Sequence, residues 1–237
     1  MLSGKQAHKT YFNWSTGKDS AMALERLLED ERYSVEHLLI SVNNHHDRVS
    51  MHGLRRELME RQLKEIGLPF TTVELSESPD MEEYSQKMGN AVRELRSKGF
   101  THSGFGDICL EDLRKYREDQ LAELGIEAVF PLWRIDTHQL MEEFLSSDFK
   151  AITVCTKANL LDEEFVGRVI DSEFIDELPK KVDPCGENGE FHTFCFDGPI
   201  FHKPVPFLVG EKIYREYESP NPDEEGMGFW FCDLLEK

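Results

Sequence analysis

The feature that most constrains this chain is an aromatic strand that runs into a turn of small residues and then into a helix. The sequence over residues 11–20 is Tyr-Phe-Asn-Trp-Ser-Thr-Gly-Lys-Asp-Ser, and an apolar-periodic helix follows from Ala21. A strand, turn and helix in this order direct backbone N–H groups and a helix N-terminus at one point. The segment therefore predicts a phosphate site.

The residues of this turn supply the chemical groups that a phosphate site uses. Gly17 lets the backbone approach a ligand closely, and Lys18 supplies a positive charge. Asp19 would repel a bare phosphate, so we expect it to hold a magnesium ion that the phosphates share. The hydroxyl groups that can donate hydrogen bonds to phosphate oxygens belong to Ser15, Thr16 and Ser20.

The spacing of the turn separates it from the better-known nucleotide loops. A Walker loop requires a glycine five residues before Gly-Lys and then Ser or Thr, whereas Phe12 and Asp19 hold those positions. The three spaced glycines of a dinucleotide fingerprint are absent as well. Residues 15–20 instead resemble the Ser-x-Gly-x-Asp-Ser pyrophosphate loop of the N-type ATP pyrophosphatases, which cleave ATP between its α and β phosphates. Six residues alone do not decide between a pyrophosphate loop and an ordinary strand-to-helix turn that binds no ligand.

Composition limits the classes of protein to consider. The chain has 237 residues, of which 39% are hydrophobic, enough for one large domain or two small ones. Five cysteines without a Cys-x-x-Cys pair argue against a disulfide framework and a zinc ribbon, and favour the cytoplasm. We find neither a signal-peptide core nor the roughly 20 apolar residues of a membrane span. A net charge of -19 would repel nucleic acids and anionic membranes, so we expect the phosphate ligand to be a nucleotide with a metal ion.

The first half of the chain alternates predicted strands and helices. The predicted strands are the aromatic run before the turn and the segments 35–42, 70–74, 102–105 and 126–130. Strands separated by helical segments imply right-handed crossovers and a doubly wound, five-stranded parallel sheet. We therefore predict a Rossmann-like α/β domain over residues 1–133, which would bind ATP through the pyrophosphate loop.

Ligands of such sheets bind beyond the carboxyl ends of the strands, where the strand order reverses. Two strand ends besides the turn carry polar groups, namely residues 43–53, which include His52, and residues 104–108, which include Asp107. We expect all three segments to converge on one rim, with His52 as a site residue and Asp107 at the metal or the substrate. The alternatives are a histidine satisfied within the structure and a carboxylate that caps the following helix.

We predict a smaller α+β domain over the remaining residues, 134–237. Its predicted elements are a helix at 137–146, a strand at 151–155, a helical stretch at 174–178, strand-like pieces at 192–196 and 205–217, and a short strand at 229–231. Its chemically dense segment, residues 183–193, is Asp-Pro-Cys-Gly-Glu-Asn-Gly-Glu-Phe-His-Thr. Two glycines and a proline around carboxylates, an amide and an imidazole are typical of a shaped polar loop, so we assign this domain to the substrate.

These motifs together resemble the diphthine-ammonia ligase family of adenine nucleotide α hydrolases. The resemblance is carried by the pyrophosphate loop, Met-His-Gly at 51–53, Gly-Asp-Ile at 106–108, Pro-Leu-Trp at 131–133 and Gly-Glu-Asn-Gly-Glu-Phe-His-Thr at 186–193. It runs from about Tyr11 to Phe201. It is closest to the short archaeal and bacterial form, because the longer eukaryotic members carry additional C-terminal domains. Thr16 stands where the family often has glycine, which narrows the room for phosphates.

The resemblance implies an ATP-dependent amidation that uses Mg²⁺. In that family a substrate carboxylate attacks the α-phosphate, pyrophosphate leaves, and ammonia displaces AMP from the acyl-adenylate. Positioning and charge stabilisation suffice for such chemistry without a covalent nucleophile. The namesake acceptor is diphthine, a modified histidine on elongation factor 2, whereas bacterial members use an acceptor that the name does not imply.

The resemblance also assigns roles to the motif residues. ATP and pyrophosphate binding falls to Ser15, Thr16, Gly17, Lys18, Asp19 and Ser20. Substrate binding falls to His52, Asp107, Glu187, Asn188, Glu190 and His192. We predict catalytic roles for Lys18, Asp19 and Glu190. The competing interpretation is that the lysine faces solvent and that the polar groups of the second loop are merely solvated.

Two other functions remain open at this point. A tRNA-modifying ATP pyrophosphatase would need a catalytic cysteine pair and a basic RNA-binding surface, and the sequence shows neither. The other alternative is a non-catalytic protein that binds adenine nucleotides. The Trp- and Phe-bearing C-terminal stretch is a candidate contact for a homodimer.

Overall fold

The computed structural model describes residues 7–49, 53–217 and 226–237. We number its elements in chain order. The described strands are β1 (His8–Asn13), β2 (Tyr33–Asn43), β3 (Arg48–Val49), β4 (Phe70–Leu75), β5 (His102–Gly104), β6 (Glu127–Val129), β7 (Lys150–Lys157), β8 (Phe191–Asp197), β9 (Phe207–Tyr217) and β10 (Met227–Glu236). The described helices are α1 (Lys18–Glu29), α2 (Arg56–Ile66), α3 (Met81–Ser97), α4 (Glu111–Glu123), α5 (Thr137–Ser146) and α6 (Ser172–Glu177).

The chain divides into two compact units. The first comprises Met1–Ser15, Asp19–Asp47 and Gly67–Arg134, and the second comprises Thr16–Lys18, Arg48–Ile66 and Ile135–Lys237. The middle of the pyrophosphate turn and the α2 region therefore group with the C-terminal residues. The sequence-based boundary between residues 133 and 134 stays a prediction, and each unit is described below by itself.

The first unit contains a parallel sheet. The sheet has six strands, counting the two-residue β3. The other five lie in the order β4-β2-β1-β5-β6, and every neighbouring pair among them is parallel. The chain builds outward from β1 to β2 and β4, and then returns to the other side of β1 to build β5 and β6. The strand order therefore reverses between β1 and β5. This confirms the predicted doubly wound parallel sheet, whereas the predicted count of five strands leaves out the two-residue β3.

Helix boundaries in the first unit follow simple capping rules. Asp80 caps α3, since its carboxylate accepts the N–H of Glu83 at 2.7 Å. The same helix ends before Gly99, whose φ of +89° lies in the region that favours glycine. The helices and strands of this unit bury a core made of Tyr11, Leu39, Val73, Leu75, Val92, Leu95, Phe100, Phe105, Leu121 and Ile126.

The second unit contains an antiparallel sheet in the order β8-β7-β10-β9. The predicted three-residue strand at 229–231 is too short, because β10 spans ten residues and pairs with both β7 and β9. Gly228 lies against the Tyr214 ring, where a Cβ atom would collide with the ring hydroxyl. The apolar residues of β10 are contiguous and do not alternate with polar ones. The length of such a central strand is therefore hard to predict from periodicity.

An ion-pair network joins the chain around α2 to β10 within the second unit. The carboxylate of Asp233 accepts Nη2 of Arg55 at 2.7 Å and Nη1 of Arg48 at 3.0 Å. Arg48 Nη1 also donates to the Gly53 carbonyl at 2.6 Å. These contacts fix the segment that leads into α2. In the described ranges, no helix is both long enough and apolar enough to cross a membrane.

Candidate active site

The pyrophosphate turn has an unusual backbone at Thr16. Its φ is +77°, in the left-handed region that costs a β-branched residue most. Thr16 and Lys18 are fully buried and Ser20 nearly so, whereas Ser15 and Asp19 are partly exposed. Helix α1 begins at Lys18, so the turn leads directly into the first helical turn. The strand-turn-helix arrangement predicted from the sequence is present.

In the first unit, the ends of β1 and β5 lie side by side at the point where the strand order reverses. The amide of Asn13 donates to Ser103 Oγ at 2.8 Å and to the Gly104 carbonyl at 3.0 Å. The hydroxyls of Ser15 and Ser20 are 2.6 Å apart. The turn and the segment after β5 therefore lie at the same edge of the sheet, as predicted.

Gly106 packs directly against the start of α1. A Cβ atom at this position would be 3.0 Å from the backbone N of Ser20 and 3.1 Å from the carbonyl carbon of Asp19. Because backbone atoms cannot move aside as a flexible side chain can, a larger residue would push the segment after β5 away from the turn. The glycine of the Gly-Asp-Ile motif is thus explained by this close approach.

Asp107, the next residue, forms a half-buried ion pair with Arg117 of α4. Its Oδ1 accepts Arg117 Nη2 at 3.2 Å, and Oδ2 lies 2.9 Å from Nε without the alignment of a hydrogen bond. Burial raises the pKa of Asp107, and Arg117 offsets only part of that effect. The negative charge of Asp19 raises this pKa further, so the two carboxylates are within electrostatic reach of each other.

These carboxylates are suitable for a magnesium ion of the kind that ATP carries. Mg²⁺ takes oxygen ligands and is usually held by one or two carboxylates together with phosphates and water. Asp19 is partly exposed, and the buried Oδ2 of Asp107 has no hydrogen-bond partner in the described part of the chain. The described residues contain no cluster of three or more His, Cys, Asp or Glu arranged around a metal position. The residues therefore fit a metal that is bound mainly through the nucleotide.

In the second unit, Thr16–Lys18 is bound to β8 and to the loop before it. The Cys195 N–H donates to the Thr16 carbonyl at 2.9 Å, and the Lys18 N–H donates to Thr193 Oγ1 at 3.0 Å. Lys18 Nζ donates to the Cys185 carbonyl at 2.5 Å and lies 5.5 Å from the centre of the Phe191 ring. The structure thus brings the first and second motifs together.

The second motif is a loop folded around two carboxylates. Glu190 is buried, and its side chain accepts the N–H groups of Asp183 at 3.0 Å and Asn188 at 2.9 Å. Its Oε1 also accepts the Asn188 side-chain amide at 3.2 Å. Asp183 accepts the Cys185 N–H at 2.8 Å and the Thr137 hydroxyl at 2.7 Å. The loop shape therefore depends on Asp183 and Glu190.

The other predicted substrate residues differ in exposure. Asn188 is exposed at the tip of the loop, whereas Glu187 and His192 are partly buried. His52 lies outside the described residues. The segment after β2 packs against the end of β4, since the Asn43 amide donates to the carbonyls of Ser76 and Glu77 at 3.0 and 2.9 Å.

Sequence reasoning missed three residues that position the turn. Thr193 and Cys195 lie in a predicted strand, and Gln62 lies in α2, between the predicted strands at 35–42 and 70–74. Gln62 is fully buried, with its Nε2 atom 3.0 Å from the Thr16 carbonyl and 2.6 Å from the Cys195 carbonyl. A glutamine on the apolar face of an amphipathic helix is the one signal that could have identified it, because buried amides require partners.

Comparisons with known proteins agree with the motifs. The chain matches the diphthamide synthase N-terminal domain over residues 8–128 and the diphthamide synthase C-terminal domain over residues 136–219. Bovine diphthine–ammonia ligase is 32% identical over 119 residues, which are 48% of this chain and 45% of that protein. The rat diphthine–ammonia ligase is 26% identical over 174 residues, which are 71% of this chain and 62% of that protein.

The similarity extends to more distant eukaryotes. Diphthine–ammonia ligase of Schizosaccharomyces pombe is 31% identical over 107 residues, which are 43% of this chain and 17% of that protein. The chain spans less than two thirds of the length of these relatives. The N-terminal domain model alone matches more than half of the chain. The resemblance predicted from the motifs is confirmed, and the chain belongs to the diphthamide synthase family.

Proposed function

We propose that this protein is an ATP-dependent amide ligase of the diphthine–ammonia type, which forms AMP and pyrophosphate. The observation that carries the proposal is the direct bonding of Thr16–Lys18 to the second motif through Cys185, Thr193 and Cys195. A two-step ligase must keep an activated acyl group and its nucleotide in one place until ammonia arrives. Motifs that are bonded together meet this requirement.

The turn at residues 15–20 would bind the triphosphate. The hydroxyls of Ser15 and Ser20 and the backbone of Thr16 and Gly17 would donate to the β- and γ-phosphates. The N-terminal end of α1 would favour the anion. Asp19, with Asp107 behind it, would hold Mg²⁺, which when bound stabilises the charge that develops on the leaving pyrophosphate.

The reaction would follow the order that the family resemblance implies. An acceptor carboxylate oxygen attacks the α-phosphorus, the bond to the bridging oxygen breaks, and pyrophosphate leaves. Ammonia then attacks the acyl carbon, the bond to AMP breaks, and a proton passes from nitrogen to a base. The product is a primary amide.

Lys18 would act chiefly by holding the second loop. Its ammonium group donates to the Cys185 carbonyl, so the predicted contact with phosphate would require the side chain to move. That contact stays a prediction. Glu190 is likewise occupied by the N–H groups of its own loop. Its proposed contribution to amide formation is therefore to shape the loop on which Glu187, Asn188 and His192 would bind the acceptor.

The proposed partners follow from the same reaction. We assign the acceptor to a carboxylate of the diphthine class, with elongation factor 2 as its carrier, and the nitrogen donor to ammonia in the cytoplasm. The net charge of -19 opposes general nucleic-acid binding. A homodimer through the aromatic C-terminal stretch stays a prediction.

Three buried cysteines argue against a tRNA-thiolating enzyme. Burial raises the pKa of Cys155 to about 12 and also raises the pKa of Cys232, so neither thiol would ionise near neutral pH. Sulfur transfer requires a thiolate nucleophile. Cys185 is buried, and its Sγ donates to the Thr137 carbonyl at 3.4 Å, which is a packing position.

An assay with α-labelled ATP tests the proposal. The protein is incubated with Mg²⁺, ammonium and either diphthine-bearing elongation factor 2 or a control factor that lacks diphthine. We expect labelled AMP and pyrophosphate in amounts that depend on the acceptor and on ammonium. Labelled ADP would contradict the mechanism, and nucleotide binding without turnover for every acceptor would favour the non-catalytic alternative.

A further inference from the structure

Gln62 is a buried amide that belongs to neither motif. It lies on α2 with no exposed surface, and its Nε2 donates to the Cys195 carbonyl at 2.6 Å and the Thr16 carbonyl at 3.0 Å. The Cys195 N–H donates to the same Thr16 carbonyl at 2.9 Å. Two donors from different elements, α2 and β8, thus converge on one carbonyl of the pyrophosphate turn.

The direction of that carbonyl determines the direction of the neighbouring N–H group. In a trans peptide unit, the C=O of residue 16 and the N–H of residue 17 are coplanar and point in opposite directions. Cis peptide bonds are absent from the described residues. Because Gln62 and Cys195 draw the Thr16 carbonyl toward α2 and β8, the Gly17 N–H points away from them.

The backbone at Thr16 needs such restraint. A φ of +77° is unfavourable for threonine and persists only where surrounding contacts enforce it. If the peptide unit relaxed by rotating, the carbonyl oxygen would take the place of the N–H group on the side away from α2 and β8. A carbonyl dipole there would repel phosphate oxygens.

We propose that Gln62 is a positioning residue for the pyrophosphate turn, which holds the peptide unit between Thr16 and Gly17 in the orientation that directs its N–H group at the leaving diphosphate. The inference rests on the proposed ATP-binding function. It extends that function to a residue on a different element from either motif. The inference also distinguishes two kinds of ligand. Only the affinity for ligands that carry a diphosphate should depend on Gln62.

The test compares ligand affinities for the wild-type protein and Gln62→Met, which keeps the side-chain length and removes the donor. Calorimetric titrations with Mg²⁺ use ATP, inorganic pyrophosphate and AMP. We expect the Kd for ATP and for pyrophosphate to rise at least tenfold and the Kd for AMP to change less than twofold. Gln62→Asn keeps the amide on a shorter stem, so its effect should be smaller but equally selective.

A matched control addresses general destabilisation. Met59→Ala alters a buried residue on the same helix, and it should lower the melting temperature without selective loss of pyrophosphate binding. Equal weakening of ATP and AMP, or no weakening of either by a folded Gln62 variant, would overturn the inference while leaving ATP binding by the wild type intact. A wild-type protein that binds neither ATP nor pyrophosphate would instead refute the proposed function itself.

Discussion

The ammonium group of Lys18 donates a hydrogen bond to the backbone carbonyl of Cys185 at 2.5 Å, across 167 positions of sequence. Lys18 is 1% exposed and also lies beside the Phe191 ring. A charged donor buried against a carbonyl contributes more than a neutral one, so its removal is costly. The side chain therefore joins the first motif to the loop of the second.

Lys18→Met should loosen the loop at residues 183–193. We expect a loss of about 1–3 kcal/mol in the free energy of unfolding, because a buried carbonyl loses its donor. Hydrogen exchange measured by mass spectrometry should become faster in peptides that cover this loop. Lys181→Met is the matched control, since that exposed lysine donates to the Asn159 carbonyl at 3.3 Å. Unchanged exchange in the Lys18 variant would contradict the anchoring role.

The parallel sheet could be predicted because its signals are local. Apolar runs separated by helical spacing identify strands and helices, and capping residues such as Asp80 and Asp136 mark helix starts directly. The convergence of residues 15–20 and 104–108 then follows from a general rule about strand order. Little beyond the sequence was needed to place these two segments at one edge.

The partners of Lys18 and Glu190 could not be predicted in the same way. Because Lys18 lies among hydroxyl residues, the sequence predicts that it binds phosphate. Its partner is instead a backbone carbonyl, and every residue has one, so the sequence gives no sign of this contact. Glu190 is predicted to bind the substrate and to act in catalysis, yet N–H groups of its own loop already occupy its carboxylate. Contacts between backbone and side chains distant in sequence leave no periodic pattern.

Thr16 should tolerate glycine better than alanine. At a φ of +77° a Cβ atom is unfavourable, so Thr16→Gly should be more stable than Thr16→Ala by about 1 kcal/mol. Chemical denaturation of both variants measures the difference. The order is opposite to that expected at ordinary positions, where Gly is the less stable substitution. If alanine were as stable as glycine, the left-handed conformation of Thr16 would be in doubt.

Glu190→Ala should separate nucleotide binding from amide formation. The substitution removes the carboxylate that accepts the N–H groups of Asp183 and Asn188, so the loop loses its shape. The turn at residues 15–20, which would bind the nucleotide, is not substituted. We expect ATP affinity to change less than threefold and amide formation to fall at least tenfold. Asp162→Ala is the control, because that exposed carboxylate also accepts a loop N–H, from Glu164 at 3.0 Å. Equal losses of binding and turnover would place Glu190 in the nucleotide site.

Asp233 should make stability depend on pH. Burial alone would raise its pKa, but hydrogen bonds from Arg55 and Arg48 outweigh burial, and the pKa lies below the usual 3.8. A carboxyl with a depressed pKa stabilises the fold above its unfolded pKa, and that contribution is lost as pH falls through the folded pKa. Asp233→Asn should therefore cost about 1 kcal/mol at pH 7 and progressively less below about pH 4. Denaturation at several pH values measures this, with exposed Asp176→Asn as control; a cost independent of pH would exclude the ionic contribution.

Asp19→Ala should abolish magnesium-dependent ATP cleavage and leave the fold intact. The side chain is partly exposed and lies within electrostatic reach of the Asp107 carboxylate, so its removal deletes the proposed metal ligand without opening a cavity. We expect turnover to fall at least a hundredfold and the melting temperature to change by no more than about 2 °C. Asp112→Ala removes an exposed carboxylate from the first turn of α4 and should leave turnover unchanged. Raising the Mg²⁺ concentration should partly restore the Asp19 variant, since the phosphates keep their own affinity for the ion. Wild-type turnover in that variant at low Mg²⁺ would show that the metal is held elsewhere.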